Sequence, residues 1–305
     1  MKDKTPTVRL FVAGSLTAAV ALLAMIPFNM GGCGVGNIDV MQMASGLNKG
    51  VKAAGMNEKN EPAIGQAVSL ALTNTYGVTD DQRLAQYVVL VGQTVASRTS
   101  RADQPWVFGV LNTDTVNAFS GPGGYVWITR GALRQMRDES ELAGVLGHEI
   151  GHVVKQHGLH AAQQAAAADA GLTAASGTSA GASFGNLSDK VVDVIVKEGF
   201  SQPQEFEADA ESVKYTAAAG YDPNGLLHFL TRIRDEQKAG TPNLFSTHPG
   251  MDDRIKRISS QISSAGTGGR GATLKERFER FTSKPPTVGM IDFPVDIRPV
   301  FQATP

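Results

Sequence analysis

Residues 141–160 read ELAGVLGHEIGHVVKQHGLH, and four of the chain's six histidines fall inside them. Such a run is either a metal site or a polar stripe on a long helix. Leu142, Val145, Leu146, Ile150 and Val153 recur at helical spacing and form an apolar face. Asp138, followed three residues later by Glu141, has the spacing of a capping box, with Asp in place of the usual Ser or Thr. These signals predict one helix that opens at Asp138 and runs through His160 into AAQQAAAADA (161–170).

His148 and His152 are spaced i and i+4, so both imidazoles lie on one helix face. Two nitrogens so arranged can bind one zinc ion at about 2.0–2.1 Å each. Glu149, beside the first histidine, is within reach of the proton of a metal-activated water. HExxH is therefore a ligand pair plus a general base. Gly147 and Gly151 flank the motif, and each costs a helix interior roughly 1 kcal/mol. A helix that carries both is expected to let something approach closely.

A catalytic zinc needs a third protein ligand and an open position. Three sources are available. His157 and His160 follow on the same predicted helix. The spacing HExxHxxGxxH would require Gly at 155 and His at 158, where the chain has Lys155 and Gly158. His157 is also out of phase with His148, so both residues read as capping, packing or exposed. The second source is QEFEADAES, in which Glu205 and Asp209 share a helix face. One carboxylate could ligate the metal and the other orient a ligand imidazole; Glu207 and Glu211 read as surface acids. The third is His248, in the turn FSTHPG.

The 305 residues are 42% hydrophobic and 19% charged, with a formal net charge of −1. No basic excess points to nucleic acid. MKDKTPTVR precedes a charge-free run over 10–28 and then NMGGCGVGN, the pattern of a secretory signal. The lone Cys33 cannot form an internal disulfide. MGGC resembles the lipobox of bacterial lipoproteins, although Met30 stands where Leu is usual, so Cys33 is the expected lipidation site. An uncleaved anchor is the alternative. Either way, the remainder is delivered outside the cytoplasm.

The expected organisation is a signal over 1–32, a tether over 33–57, a catalytic domain over 58–265, and a linker and tail over 266–305. Helical spacing appears near Ile64–Leu72 and Leu84–Val95. WVFGVL (106–111), TVNAF (115–119) and YVWIT (125–129) read as three short strands, predicted to form a small antiparallel sheet. Residues 171–189, small and polar, read as a mobile loop or lid. A helix is expected from Gln204 to Gly220. Further helices follow YDP (221–223) and THP (247–249). FERF (278–281) and DFPVDIRPVF (292–301) are apolar enough to dock.

HEIGH, EFEAD some fifty residues later, THP, and the preceding NAFSGPGGYVWITRGAL together resemble one family. It comprises the gluzincin metalloendopeptidases related to CaaX prenyl proteases and HtpX, closest in kind to the periplasmic lipoprotein proteases of the BepA/LoiP/Oma type. The resemblance runs from about residue 58 to about residue 262. It implies an α+β, mainly α, zincin-like domain whose small sheet lines the cleft with its edge strand. It implies one zinc held by His148, His152 and Glu205, with Glu149 as general base, Asp209 as the carboxylate behind a ligand, and His248 regulating access. Asn117, Ala118 and Phe119 would be the substrate-binding edge strand. The implied activity is cleavage of misfolded or unassembled envelope proteins by a periplasmic, membrane-anchored enzyme, with outer-membrane assembly machinery as a partner. The competing readings are an assembly factor that binds clients and rarely cuts, and a helical binding domain without metal.

Overall fold

Three strands pair in the order β1–β3–β2, where β1 is Val107–Leu111, β2 Ala118–Gly121 and β3 Tyr125–Thr129. The computed structural model describes residues 57–176, 192–238 and 247–283. β2 and β3 form the expected antiparallel hairpin through the turn at Pro122–Gly124, but β1 runs parallel to β3. The sheet is therefore mixed rather than antiparallel. After Leu111 the chain passes over to the far side of β3. The Thr129 hydroxyl, at the end of β3, donates to the carbonyls of Thr115 and Asn117 and anchors that crossing. Strand alternation marks faces and is the same for either direction of pairing, so the sequence pattern could not choose.

Around the sheet stand α1 (Glu61–Tyr76), α2 (Gln82–Ala96), α3 (Arg130–Gln135), α4 (Glu139–Val154), α5 (His157–Ser176), α6 (Gln202–Ala218), α7 (Gly225–Lys238), α8 (Met251–Ala265) and α9 (Lys275–Thr282). A single π-type turn, Val194–Glu198, precedes α6. Among the described residues no helix is long and apolar enough to cross a membrane. The signal segment, Cys33, residues 33–56 of the tether, residues 177–189 of the expected loop, and the tail beyond Ser283 lie outside the described residues.

α4 is the axis of the domain. Every residue from Glu139 to Val153 is buried, polar ones included, so it is enclosed on all sides rather than amphipathic. The Asp138 carboxylate accepts from the Glu141 N–H at 3.1 Å. Glu141 does not return the bond to Asp138. Its carboxylate accepts from the Arg137 N–H and pairs with Arg232, so the predicted box is one-sided. The glycines of α4 are explained by neighbours. A Cβ on Gly144 would stand 2.5 Å from the Leu226 nitrogen of α7, and one on Gly151 would stand 2.9 Å from the Ala208 carbonyl of α6. What approaches closely is thus the helix carrying Glu205 and Asp209.

The predicted helix through His160 is broken. α4 ends at Val154, Gln156 takes a left-handed φ of 59°, and α5 begins at His157. α5 then continues to Ser176, into the stretch expected to be loop. α6 starts at Gln202, two residues before its expected origin, capped by Ser201 with Gln204. At the other end of the chain, Phe278 and Phe281 of α9 join the core, with Phe281 stacked on Tyr87 at 4.5 Å. Glu139 binds that corner together, accepting from the hydroxyls of Tyr87 and Tyr221 and from Arg277.

Candidate metal centre

Helices α4 and α6 pack side by side because small residues face each other, Gly147 and Gly151 against Ala208 and Ser212. That contact brings the two i,i+4 pairs together. His148 Nε2 lies 3.0 Å from His152 Nε2. Glu205 reaches both, with Oε2 3.4 Å from His148 Nε2 and Oε1 3.4 Å from His152 Nε2. The ends of a tetrahedral zinc site with bonds of about 2.0–2.1 Å lie about 3.3–3.4 Å apart. The three donors therefore already have the spacing of one ion's coordination shell. His248 adds a fourth, its Nδ1 3.1 Å from Glu205 Oε2 and 3.3 Å from His148 Nε2. All four are buried, with donor atoms within 4.8 Å of one another.

Glu149 stands outside that donor set. Both of its carboxylate oxygens are buried without a hydrogen-bond partner among the described residues, and the nearest cationic candidate is His248 Nε2 at 3.5 Å. A buried carboxylate left so is costly unless the site takes up something that satisfies it. Orphaned base and converging donors together fit a metal ion with a water.

A layer of polar contacts orients the donors. His148 Nδ1 lies 2.9 Å from Asp209 Oδ1. Arg254, on α8 and fully buried, grips Asp209 at 2.7 and 2.8 Å and Glu205 at 2.8 Å. Burial and the Arg254 charge push the His148 imidazole down, but hydrogen bonds to Asp209 and Glu205 outweigh them and lift it to about 9. Burial drives the neighbouring His152 well below the usual histidine range. Burial raises Asp209, and the Arg254 guanidinium overrides this to hold it at about 2. Burial likewise opposes ionisation of Glu205, yet the surrounding His248, Arg254 and imidazoles hold it well below the usual carboxylate range. A metal takes the proton's place on such an imidazole.

Of the residues singled out in the sequence, Asn117 and Ala118 also border the centre. The Asn117 amide exchanges hydrogen bonds with the Thr247 hydroxyl at 3.3 Å, and the Ala118 carbonyl lies 3.5 Å from His248 Nε2. Phe119 turns its ring to the opposite face, against Tyr76. His160 is exposed and Glu207 is exposed; Glu211 is half-buried between Lys155 and Lys214. Arg254 escaped the sequence reading. Its signal was an arginine on the buried stripe Arg254–Ile258–Ile262, where an aliphatic residue is the ordinary occupant.

Such a centre, two histidines of α4 converging with a glutamate of α6, could hold a metal ion and fits one class, the zinc metalloendopeptidases. The family model of peptidase family M48 matches residues 82–262, and the chain belongs to that family, whose members use zinc. It is 29% identical over 216 residues to a putative beta-barrel assembly-enhancing protease of Vibrio cholerae, covering 64% of this chain and 42% of that protein. It is 30% identical over 172 residues to metalloprotease LoiP of Escherichia coli, covering 53% and 65%. It is 28% identical over 232 residues to metalloprotease YcaL of the same organism, covering 73% and 88%. The chain thus spans less than half the length of the first of these relatives.

Proposed function

We propose that this chain hydrolyses internal peptide bonds of misfolded or unassembled envelope proteins, with zinc on His148, His152 and Glu205 and with Glu149 as general base. The observation that carries the reading is the partnerless Glu149 carboxylate beside three converging donors. Zinc bound there would supply Lewis acidity to a water and to the scissile carbonyl. Glu149 accepts the proton of the attacking water and passes it to the leaving amine. Asp209 accepts from the His148 Nδ1–H, which keeps the Nε2 lone pair turned to the metal. An extended peptide pairs with the edge at Asn117–Phe119 through backbone hydrogen bonds, a mode with weak sequence selectivity.

His248 is the regulatory residue of this scheme. As a fourth donor it takes the position that catalysis needs open, and its ring lies against the Ala118 carbonyl that a substrate strand would use. His248→Ala is therefore expected to raise cleavage of an unfolded test protein several-fold over the parent, followed by gel assay. A fall instead would assign His248 to stabilising the transition state. If parent and variant both bind the unfolded protein without cutting it, the assembly-factor reading prevails. Relatives named beta-barrel assembly-enhancing proteases support a part in assembly, and their name keeps cleavage beside it.

The charge-free run 10–28 and the MGGC sequence support a cell-envelope location, with a periplasmic domain held to the membrane through lipid on Cys33. Cys33→Ser is expected to move the protein from the membrane to the soluble fraction on cell fractionation. Unchanged membrane retention would favour the uncleaved anchor.

A further inference from the structure

His148 has an acceptor behind it, Asp209, at 2.9 Å from its Nδ1. His152, the other imidazole of the pair, has no carboxylate at that place among the described residues. Its Nδ1 instead lies 2.8 Å from Nδ1 of His157, a residue 3% exposed. We propose that His157, aligned by Glu207, is the positioning residue that holds His152 ready for the metal. This rests on the reading of His152 as a zinc ligand.

The backbone is bent to make the contact. On an uninterrupted helix, residues five apart point about 140° away from one another. Here Gln156 adopts φ 59°, a region that L side chains avoid, and the turn swings His157 back onto His152. The Gln156 side chain is fastened in that turn by donation to Glu58 at 2.7 Å.

The hydrogen-bond directions follow in order. A carboxylate only accepts, so Glu207 Oε2, 3.4 Å from His157 Nε2, requires the proton on that nitrogen. The neutral His157 ring then offers its Nδ1 lone pair to His152, whose Nδ1 must donate. The remaining lone pair of His152, on Nε2, faces His148 and Glu205. Phe200, stacked on the His152 ring at 4.2 Å, fixes its plane from the other side. Each histidine of the motif thus has its own acceptor, a carboxylate for one and an imidazole for the other.

The test is the zinc dissociation constant of the full chain, read by competition with a chromophoric chelator. His157→Leu keeps bulk and removes the acceptor, and is expected to weaken zinc binding about 10–100-fold. His157→Asn, whose Oδ1 falls near the lost Nδ1, is expected to recover most of that. Leu within about twofold of the parent, or Asn no better than Leu, overturns the proposal. Should His157→Leu not fold, the exposed Glu207 carries the test. Glu207→Ala is expected to weaken binding several-fold, and an unchanged constant overturns the proposal. His152→Ala is the control. Zinc retained there refutes the ligand assignment itself, whereas zinc lost there but kept in His157→Leu refutes only the role of His157.

Discussion

Glu149→Gln is expected to abolish cleavage of an unfolded test protein while the variant still carries zinc. The substitution is isosteric, and Glu149 lies outside the group of converging donors. Its own oxygens accept no hydrogen bond among the described residues, so little of the fold depends on its charge. What the amide loses is basicity. General acid–base catalysis contributes roughly 10²–10⁴-fold, and a loss of that size is the expectation. Cleavage by gel assay and zinc content by elemental analysis are the two readings. A variant that cuts normally would remove Glu149 from the base role. One that loses its zinc would make Glu149 a ligand.

Replacing Arg254 with Met is expected to cost stability more than any other single change near the site. Glu149, Glu205 and Asp209 are buried carboxylates, and Arg254 is the buried guanidinium among them. Removing one partner from a buried ion pair typically costs about 3–5 kcal/mol, because the other charge is left unpaired in low dielectric. Here two carboxylates lose their guanidinium at once and keep only imidazoles beside them.

Urea unfolding of the chelator-treated protein at neutral pH would measure that cost, and a variant within about 1 kcal/mol of the parent would contradict it. The pH dependence has a definite sign. Asp209 is held at about 2, below its unfolded value, so its contribution is present above the unfolded pKa and lost as pH falls toward 2. Without Arg254 the carboxylate protonates sooner on acidification, and acid unfolding should begin at higher pH than in the parent.

Both effects belong to residues whose roles were unequally visible. Glu149 could be proposed as the base from five letters, because on a helix adjacency and i,i+4 spacing are already geometry. The same local rule put Glu205 and Asp209 on one face, and resemblance to a family chose Glu205 among three candidate sources of the third donor. The Asp138 cap was legible for the same reason, since its bond to the Glu141 N–H spans one turn.

The sequence by itself determined the faces, the turns and the chemistry carried by each segment. Tertiary structure decided which face meets which. It made β1 parallel to β3, a choice that strand alternation does not encode. It placed an arginine on an otherwise aliphatic stripe of α8, opposite two carboxylates forty-five and forty-nine positions earlier in the chain. And it broke the long helix at Gln156, so that His157, out of phase by helical counting, came to lie on His152. Periodicity is a property of one segment, whereas a buried charge or a strained turn is sustained by contacts with others, and those exist only once the helices have packed.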